Sequence, residues 1–193
     1  MQNVLDDGHP QQRQRARALP LHELLARRRS PKAFLNKPLE PEILSSLFEA
    51  TRWSPSSRNE QPWRFIVASK EPANDYDRLF DVLNEANKAW AHTAPVFAAV
   101  VAKMTFDRDG RPNRAALFDV GGAVAALTAQ AVSLGLQVHP MGGFDSARLK
   151  AVCRIPDGYE PIVMLAIGYP DEKALLKEGR VRNQVSSFVF QGM

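Results

Sequence analysis

Two short polar clusters in the first third of the chain carry side chains suited to binding chemistry. Arg27-Arg28-Arg29-Ser30-Pro31-Lys32 gathers guanidinium forks, a hydroxyl and an ammonium. That set suits a phosphate dianion, because Arg bonds its oxygens in pairs while Lys adds a point charge. Trp53-Ser54-Pro55-Ser56-Ser57-Arg58-Asn59-Glu60-Gln61-Pro62-Trp63 supplies hydroxyl and amide groups framed by two flat apolar side chains. Such a loop can grip the polar edge of a planar ring. Between the clusters, Ile43, Leu44, Leu47 and Phe48 recur at helical spacing after Pro41, a residue suited to a first turn. A short amphipathic helix there would hold the two clusters apart at a fixed distance.

Other chemistries find little support. His9, His22, His92 and His139 are scattered, and no His or Cys pair has ligand spacing, so no metal site is expected. No Gly-x-Ser-x-Gly elbow, phosphate-binding Gly-x-x-x-x-Gly-Lys-Ser/Thr loop or dinucleotide Gly-x-Gly-x-x-Gly motif occurs. Cys153 is the only cysteine, which excludes an intramolecular disulfide and reads as a packed thiol. A reducing, cytoplasmic location is expected.

The 193 residues suit one domain over 20–193, preceded by a basic arm over 1–19. Residues 1–37 hold eight Lys or Arg against three Asp or Glu, a local +5 within a net charge of +4, so the remainder is close to −1. Arg13, Arg15 and Arg17 could meet nucleic-acid phosphates, but a solvated leader is the simpler reading. No membrane span is expected, since no apolar run approaches the roughly 20 residues required.

The elements that must position the clusters follow from periodicity. Helices are predicted over 20–29, 41–50, 73–90, 115–134 and from Asp145 to about Arg154. Strands are predicted over 64–69, 95–102 and 161–169, with another running from Gly135 into a glycine turn at 142–143. The 95–102 run lacks polar alternation and should be covered on both faces. The 115–134 helix is rich in small residues, and Gly121-Gly122 costs it about 1 kcal/mol per glycine relative to alanine, which points to close backbone approach. The tail carries Lys173, Lys177, Arg180 and Arg182 before an apolar Val185, Phe188, Val189 and Phe190, read by itself as a solvated basic turn and an edge strand.

Arg28-Arg29-Ser30-Pro31-Lys32-Ala33-Phe34, followed after a helix by Ser54-Pro55-Ser56-Ser57-Arg58-Asn59-Glu60-Gln61-Pro62-Trp63-Arg64-Phe65, resembles in order and spacing the paired motifs of the FMN-dependent nitroreductase family. The resemblance implies an α+β fold with a mixed central sheet flanked by helices, assembled as an intertwined homodimer. It implies FMN as cofactor, NADH or NADPH as a transient electron donor, and a small electron-poor acceptor such as a nitroaromatic or quinone. Carried over residue by residue, the flavin contacts would be Arg28, Arg29, Ser30 and Lys32, then Pro55, Ser56, Ser57, Asn59 and Gln61. Asn87, the turn Pro140-Met141-Gly142-Gly143 and the basic pair Arg180 and Arg182 complete the set. Lys32 would stabilise negative charge on the reduced ring, and no catalytic side-chain acid or base is implied. By itself Asn87 is equally a cap or turn residue. A dehalogenase or flavin-fragmenting enzyme of the same family, and more distantly a nucleic-acid binder, are the alternatives.

Overall fold

The computed structural model describes residues 20–71, 73–173 and 181–192. The basic arm and Arg180 lie outside them. Four strands form one sheet: β1 (Trp63–Ser69), β2 (Val96–Lys103), β3 (Gln137–Met141) and β4 (Tyr159–Gly168), in the order β1-β2-β4-β3. The helices are α1 (Glu23–Arg27), α2 (Pro41–Arg52), α3 (Ala73–Asp81), α4 (Glu85–Ala91), α5 (Ala116–Ser133) and α6 (Ser146–Cys153).

The α+β class holds, but the sheet among the described residues is antiparallel throughout, where a mixed sheet was expected. The connections explain the difference. The chain leaves β1 at Ser69 and re-enters β2 opposite it, at Val96. The connection through α5 then returns it to the Gly168 end of the sheet before β3 begins at Gln137. β4 lies between β2 and β3, antiparallel to both.

β2 is covered on both faces, as its unbroken apolar run requires. Phe97 and Ala99 join a core with Tyr76, Leu79, Ala91 and Leu149 of α3, α4 and α6. Val96, Ala98, Val100 and Ala102 join a second core with Leu47 of α2 and Val120, Ala123 and Leu127 of α5. Burying one of the larger side chains, such as Phe97, Leu47 or Leu127, contributes about 1.5–3 kcal/mol, so these two layers hold the frame.

Three local expectations are corrected. The helix predicted over 73–90 divides into α3 and α4, because the chain between them pairs with the segment after β3: Asn84 N donates to Gly143 O at 3.0 Å and Asp145 N to Val82 O at 2.8 Å. α1 is shorter than 20–29, since Arg28 already has extended backbone. The described tail has one short turn, Val185–Ser187, and no edge strand; its Phe188, Val189 and Phe190 are exposed.

α5 is the one helix among the described residues long and apolar enough to cross a membrane by composition. Its Val120, Ala123, Leu127 and Ala131 are instead spent in the core. Among the described residues, nothing outside the helix's own backbone comes within 4 Å of a Cβ built on Gly121 or Gly122, so the expected close approach is not made there. Phe118, on the same helix, is 84% exposed.

Candidate functional site

The basic segment is fastened to β3 by two side chains that sequence reading did not single out. Arg29 N donates to Gln137 Oε1 at 2.7 Å, and Gln137 Nε2 donates to Arg27 O at 3.3 Å. His139 Nδ1 lies 2.8 Å from Pro31 O, and a carbonyl can only accept, so the proton is on Nδ1. The imidazole also packs 4.4 Å from the Trp90 ring. Burial pushes the His139 pKa below its ordinary value; the Pro31 hydrogen bond opposes the shift and the Lys32 charge reinforces it. Alternation along a strand explains the pairing, because residues i and i+2 share a side.

This anchoring sorts the four basic-cluster residues. Arg28 Nη1 donates to Ser30 Oγ at 3.2 Å, which brings a guanidinium and a hydroxyl together, and Ser30 and Lys32 are exposed. Arg29 turns its guanidinium back onto Ala26 O at 2.7 Å and Arg28 O at 3.1 Å. It therefore satisfies carbonyls at the end of α1, the helix-terminus role open to any cation there.

Farther along the same sheet edge, β3 ends in Pro140 and Met141 and turns at Gly142-Gly143. Met141 is buried and Pro140 exposed. A Cβ on Gly143 would sit 2.4 Å from Asn84 Nδ2 and 2.8 Å from Asn87 Nδ2, so only glycine fits without displacing both amides. Asn84 caps α4 by accepting from Asn87 N at 3.0 Å, and Asn87 Nδ2 donates to Gly143 O at 3.0 Å. An open polar cleft of about 450 Å³ lies here, lined by Asn84, Lys88, Gly142, Gly143, Asp145 and Arg148 among others. Asn87 is thus tied to the turn, while Asn84 and Lys88 line the cleft. Neither was singled out from the sequence, since their relation to Gly143 depends on the break between α3 and α4.

The loop before β1 is strained. Arg58, Asn59 and Gln61 have φ of 57°, 57° and 50°, a left-handed region that residues other than glycine seldom adopt. Ser56 Oγ accepts from Gln61 N at 3.0 Å, Gln61 Nε2 donates to Asn59 O at 3.3 Å, and Ser57 N donates to Asp119 Oδ2 at 3.0 Å. Asp119 is buried in the first turn of α5, so this carboxylate, unremarked in the sequence, helps hold the loop. Pro55 and Asn59 are exposed. The two tryptophans diverge: Trp63 is 8% exposed and enters the core, while Trp53 is 77% exposed. Of the two, only Trp53 offers a flat surface to a ligand.

The basic segment and this loop stand at opposite corners of the sheet. The loop leads into Trp63, whose row across the sheet runs through Ala102 to Glu160. The basic segment sits on Gln137 and His139 beside Val138, whose row runs through Ile167 and Val96 to Ser69. Three strand spacings across and six residues along amount to about 25 Å diagonally. In the tail, Arg182 is exposed and its Nη1 bonds Val181 O at 2.8 Å. Cys153 is half-buried in the core beside α3, where burial pushes its thiol pKa up, as befits a packed thiol.

The model of the family described as "Nitroreductase family" matches residues 25–169. A protein of Xanthomonas oryzae pv. oryzae named "Putative NADH dehydrogenase/NAD(P)H nitroreductase" is 31% identical over 180 residues, covering 82% of this chain and 89% of its own length. A like-named protein of Leptothrix cholodnii is 29% identical over 178 residues, covering 81% and 88%. A crystal structure described as an oxidoreductase containing FMN is similar with a TM-score of 0.84 and 31% identity, over 91% of this chain and 93% of that one. A nitroreductase-family protein of Streptococcus pneumoniae, at 20% identity and a TM-score of 0.73, shares the fold over 88% of this chain and 98% of its own. With more than half its length matched by the family model, the chain belongs to the nitroreductase family, and it is an oxidoreductase.

Proposed function

We propose that the protein binds FMN and passes reducing equivalents from NADH or NADPH to an electron-poor small molecule such as a nitroaromatic or quinone. The observation that carries this reading is the order of groups along the β3 edge. Arg28, Ser30 and Lys32 gather near His139, and the cleft of Asn84, Lys88, Gly142 and Gly143 opens where the strand ends. Three to four strand residues put these about 10–14 Å apart. That spacing suits a ligand with phosphate at one end and a hydrogen-bonding ring at the other.

The donor set fits FMN. A guanidinium, a hydroxyl and an ammonium match a phosphate monoester, and the close-packed turn at Gly143 lets backbone and amide groups reach a flat ring edge. FMN, when bound, supplies hydride chemistry at its ring. Arg28 and Ser30 hold the phosphate, with Lys32 adding positive charge. Gln137 and His139 fix the backbone that presents them. Asn84 and the Gly142-Gly143 backbone orient the ring edge, with Asn87 bracing the turn. No side-chain acid or base is assigned a role.

The loop over 54–61 completes the site from a second copy of the chain, since its own corner lies too far from its own phosphate cluster. A homodimer also accounts for the open Gly121-Gly122 backbone and the exposed Phe118 of α5. Arg182 would return to the flavin phosphate, and the apolar tail would meet the partner. A cytoplasmic location agrees with the single packed thiol. The nucleic-acid alternative draws on Arg13, Arg15 and Arg17, outside the described residues.

Anaerobic addition of NADPH or NADH to the FMN-loaded protein should bleach the flavin band, and a quinone or nitroaromatic should restore it. Flavin that stays oxidised with both donors would overturn the redox assignment.

A further inference from the structure

Beside the strained loop, two guanidinium groups lie over one aromatic ring. The Arg58 and Arg108 guanidinium carbons each lie 5.7 Å from the centroid of the Phe106 ring, within cation–π range. Lys103, Arg108 and Arg111 nearby have carboxylate partners. Lys103 pairs with Asp107 and faces Glu60 at 3.9 Å, and Glu60 also accepts from Asp107 N at 2.6 Å. Asp109 lies 3.2 Å from both Arg108 and Arg111, and a hydrogen bond from the Arg111 backbone, with the charges of Arg111 and Arg108, holds its carboxyl below the usual carboxylate range.

Arg58 differs from these three: among the described residues, no carboxylate pairs with it. It is exposed, and its backbone is in the left-handed region. In the family motif that 54–65 resembles, the two positions between Ser56 and Asn59 are variable, so the motif does not account for an arginine at 58. A guanidinium fork without an acid, presented at a ring face with a second guanidinium nearby, suits a ligand that is both flat and multiply anionic.

We infer that Arg58, assisted by Arg108 and the Phe106 ring, selects the donor by binding the 2′-phosphate of NADPH, with the adenosine lying against this cation–aromatic cluster. NADH lacks that phosphate, so it forfeits the charge-assisted bond. The inference rests on the proposed flavin function, because the nicotinamide must reach the ring whose edge this loop serves.

Two measurements test it separately from that reading. First, half-saturating NADPH and NADH concentrations are measured for anaerobic flavin reduction in the wild-type holoenzyme and in Arg58→Gln. The wild type should need about 10- to 100-fold less NADPH than NADH, the range of one charge-assisted bond. Arg58→Gln should raise the NADPH value far more than the NADH value, and added salt should narrow the wild-type ratio. Second, calorimetry compares adenosine 2′,5′-bisphosphate with adenosine 5′-monophosphate on the same proteins. Tighter binding of the bisphosphate, lost in Arg58→Gln, supports the site even if neither donor reduces flavin, a result that would fall on the flavin reading alone. Equal binding of the two nucleotides by the wild type overturns the inference. So does a donor ratio that Arg58→Gln leaves unaltered, or an equal loss with both donors.

Discussion

The imidazole of His139 donates from Nδ1 to the carbonyl oxygen of Pro31 across 2.8 Å, fastening the basic-cluster backbone to the edge of the sheet. Its pKa in the fold is lowered, chiefly by burial, below an ordinary value near 6.5. Between the folded and unfolded values the unfolded chain binds more protons, so stability falls as pH drops below about 6.5 and is recovered above it. Thermal melts from pH 8 to 5 should show this decline, and His139→Phe should show a shallower one while melting lower throughout. Parallel pH profiles for the two proteins would count against a buried neutral imidazole.

Gly142 and Gly143 are adjacent but should respond differently to alanine. Among the described residues, a Cβ on Gly142 meets nothing within 4 Å, whereas one on Gly143 displaces the Asn84 amide that caps α4. Gly143→Ala should cost about 0.5–2 kcal/mol, the range of a lost N-cap, and weaken flavin binding. Gly142→Ala should be close to neutral in urea denaturation. Similar losses at both positions would mean that the close approach at Gly143 is not what the turn depends on.

Arg28 and Arg29 should separate in the same way. Replacing Arg28 or Ser30 by alanine should weaken FMN about 10- to 100-fold while hardly changing riboflavin, which has no phosphate to lose. Arg29→Ala removes bonds to Ala26 O and Arg28 O, so it should lower the melting temperature and affect both flavins alike. Fluorescence titrations at fixed ionic strength distinguish the two patterns, and an FMN-selective loss confined to Arg29→Ala would reverse the assignment.

Much of this was legible in the sequence because local chemistry encodes it. The 28–32 cluster, the 54–63 loop, the two-faced β2 run and the small-residue α5 all appear where spacing placed them. What was not legible depends on partners distant in sequence. Gln137 and His139 read as strand residues until the sheet puts them against Arg27 to Pro31, over a hundred positions away. The break at Asn84 defeats a regular helical pattern because pairing with Gly143 and Asp145 outweighs local periodicity. The antiparallel order follows from where the connections return, which no single element reveals.

The opposite corners of the sheet make assembly testable. If the protein is the proposed FMN-binding dimer, light scattering should give a dimer mass for the wild type and a monomer mass for Phe118→Glu, which places a charge on the exposed face of α5, with flavin lost in the variant. Arg28→Ala and Gln61→Ala proteins, each weak in flavin binding, should regain it when refolded together, because a mixed dimer contains one site unaltered in both components. Absence of recovery in verified mixed dimers would place the whole site within one chain.

The most direct test of the account is the absorption spectrum of the purified protein, with the flavin then released and quantified. A yellow protein releasing about one FMN per chain, as one proposed flavin site per chain requires, is the result predicted. A colourless protein that acquires no flavin band on titration with FMN would contradict the central claim.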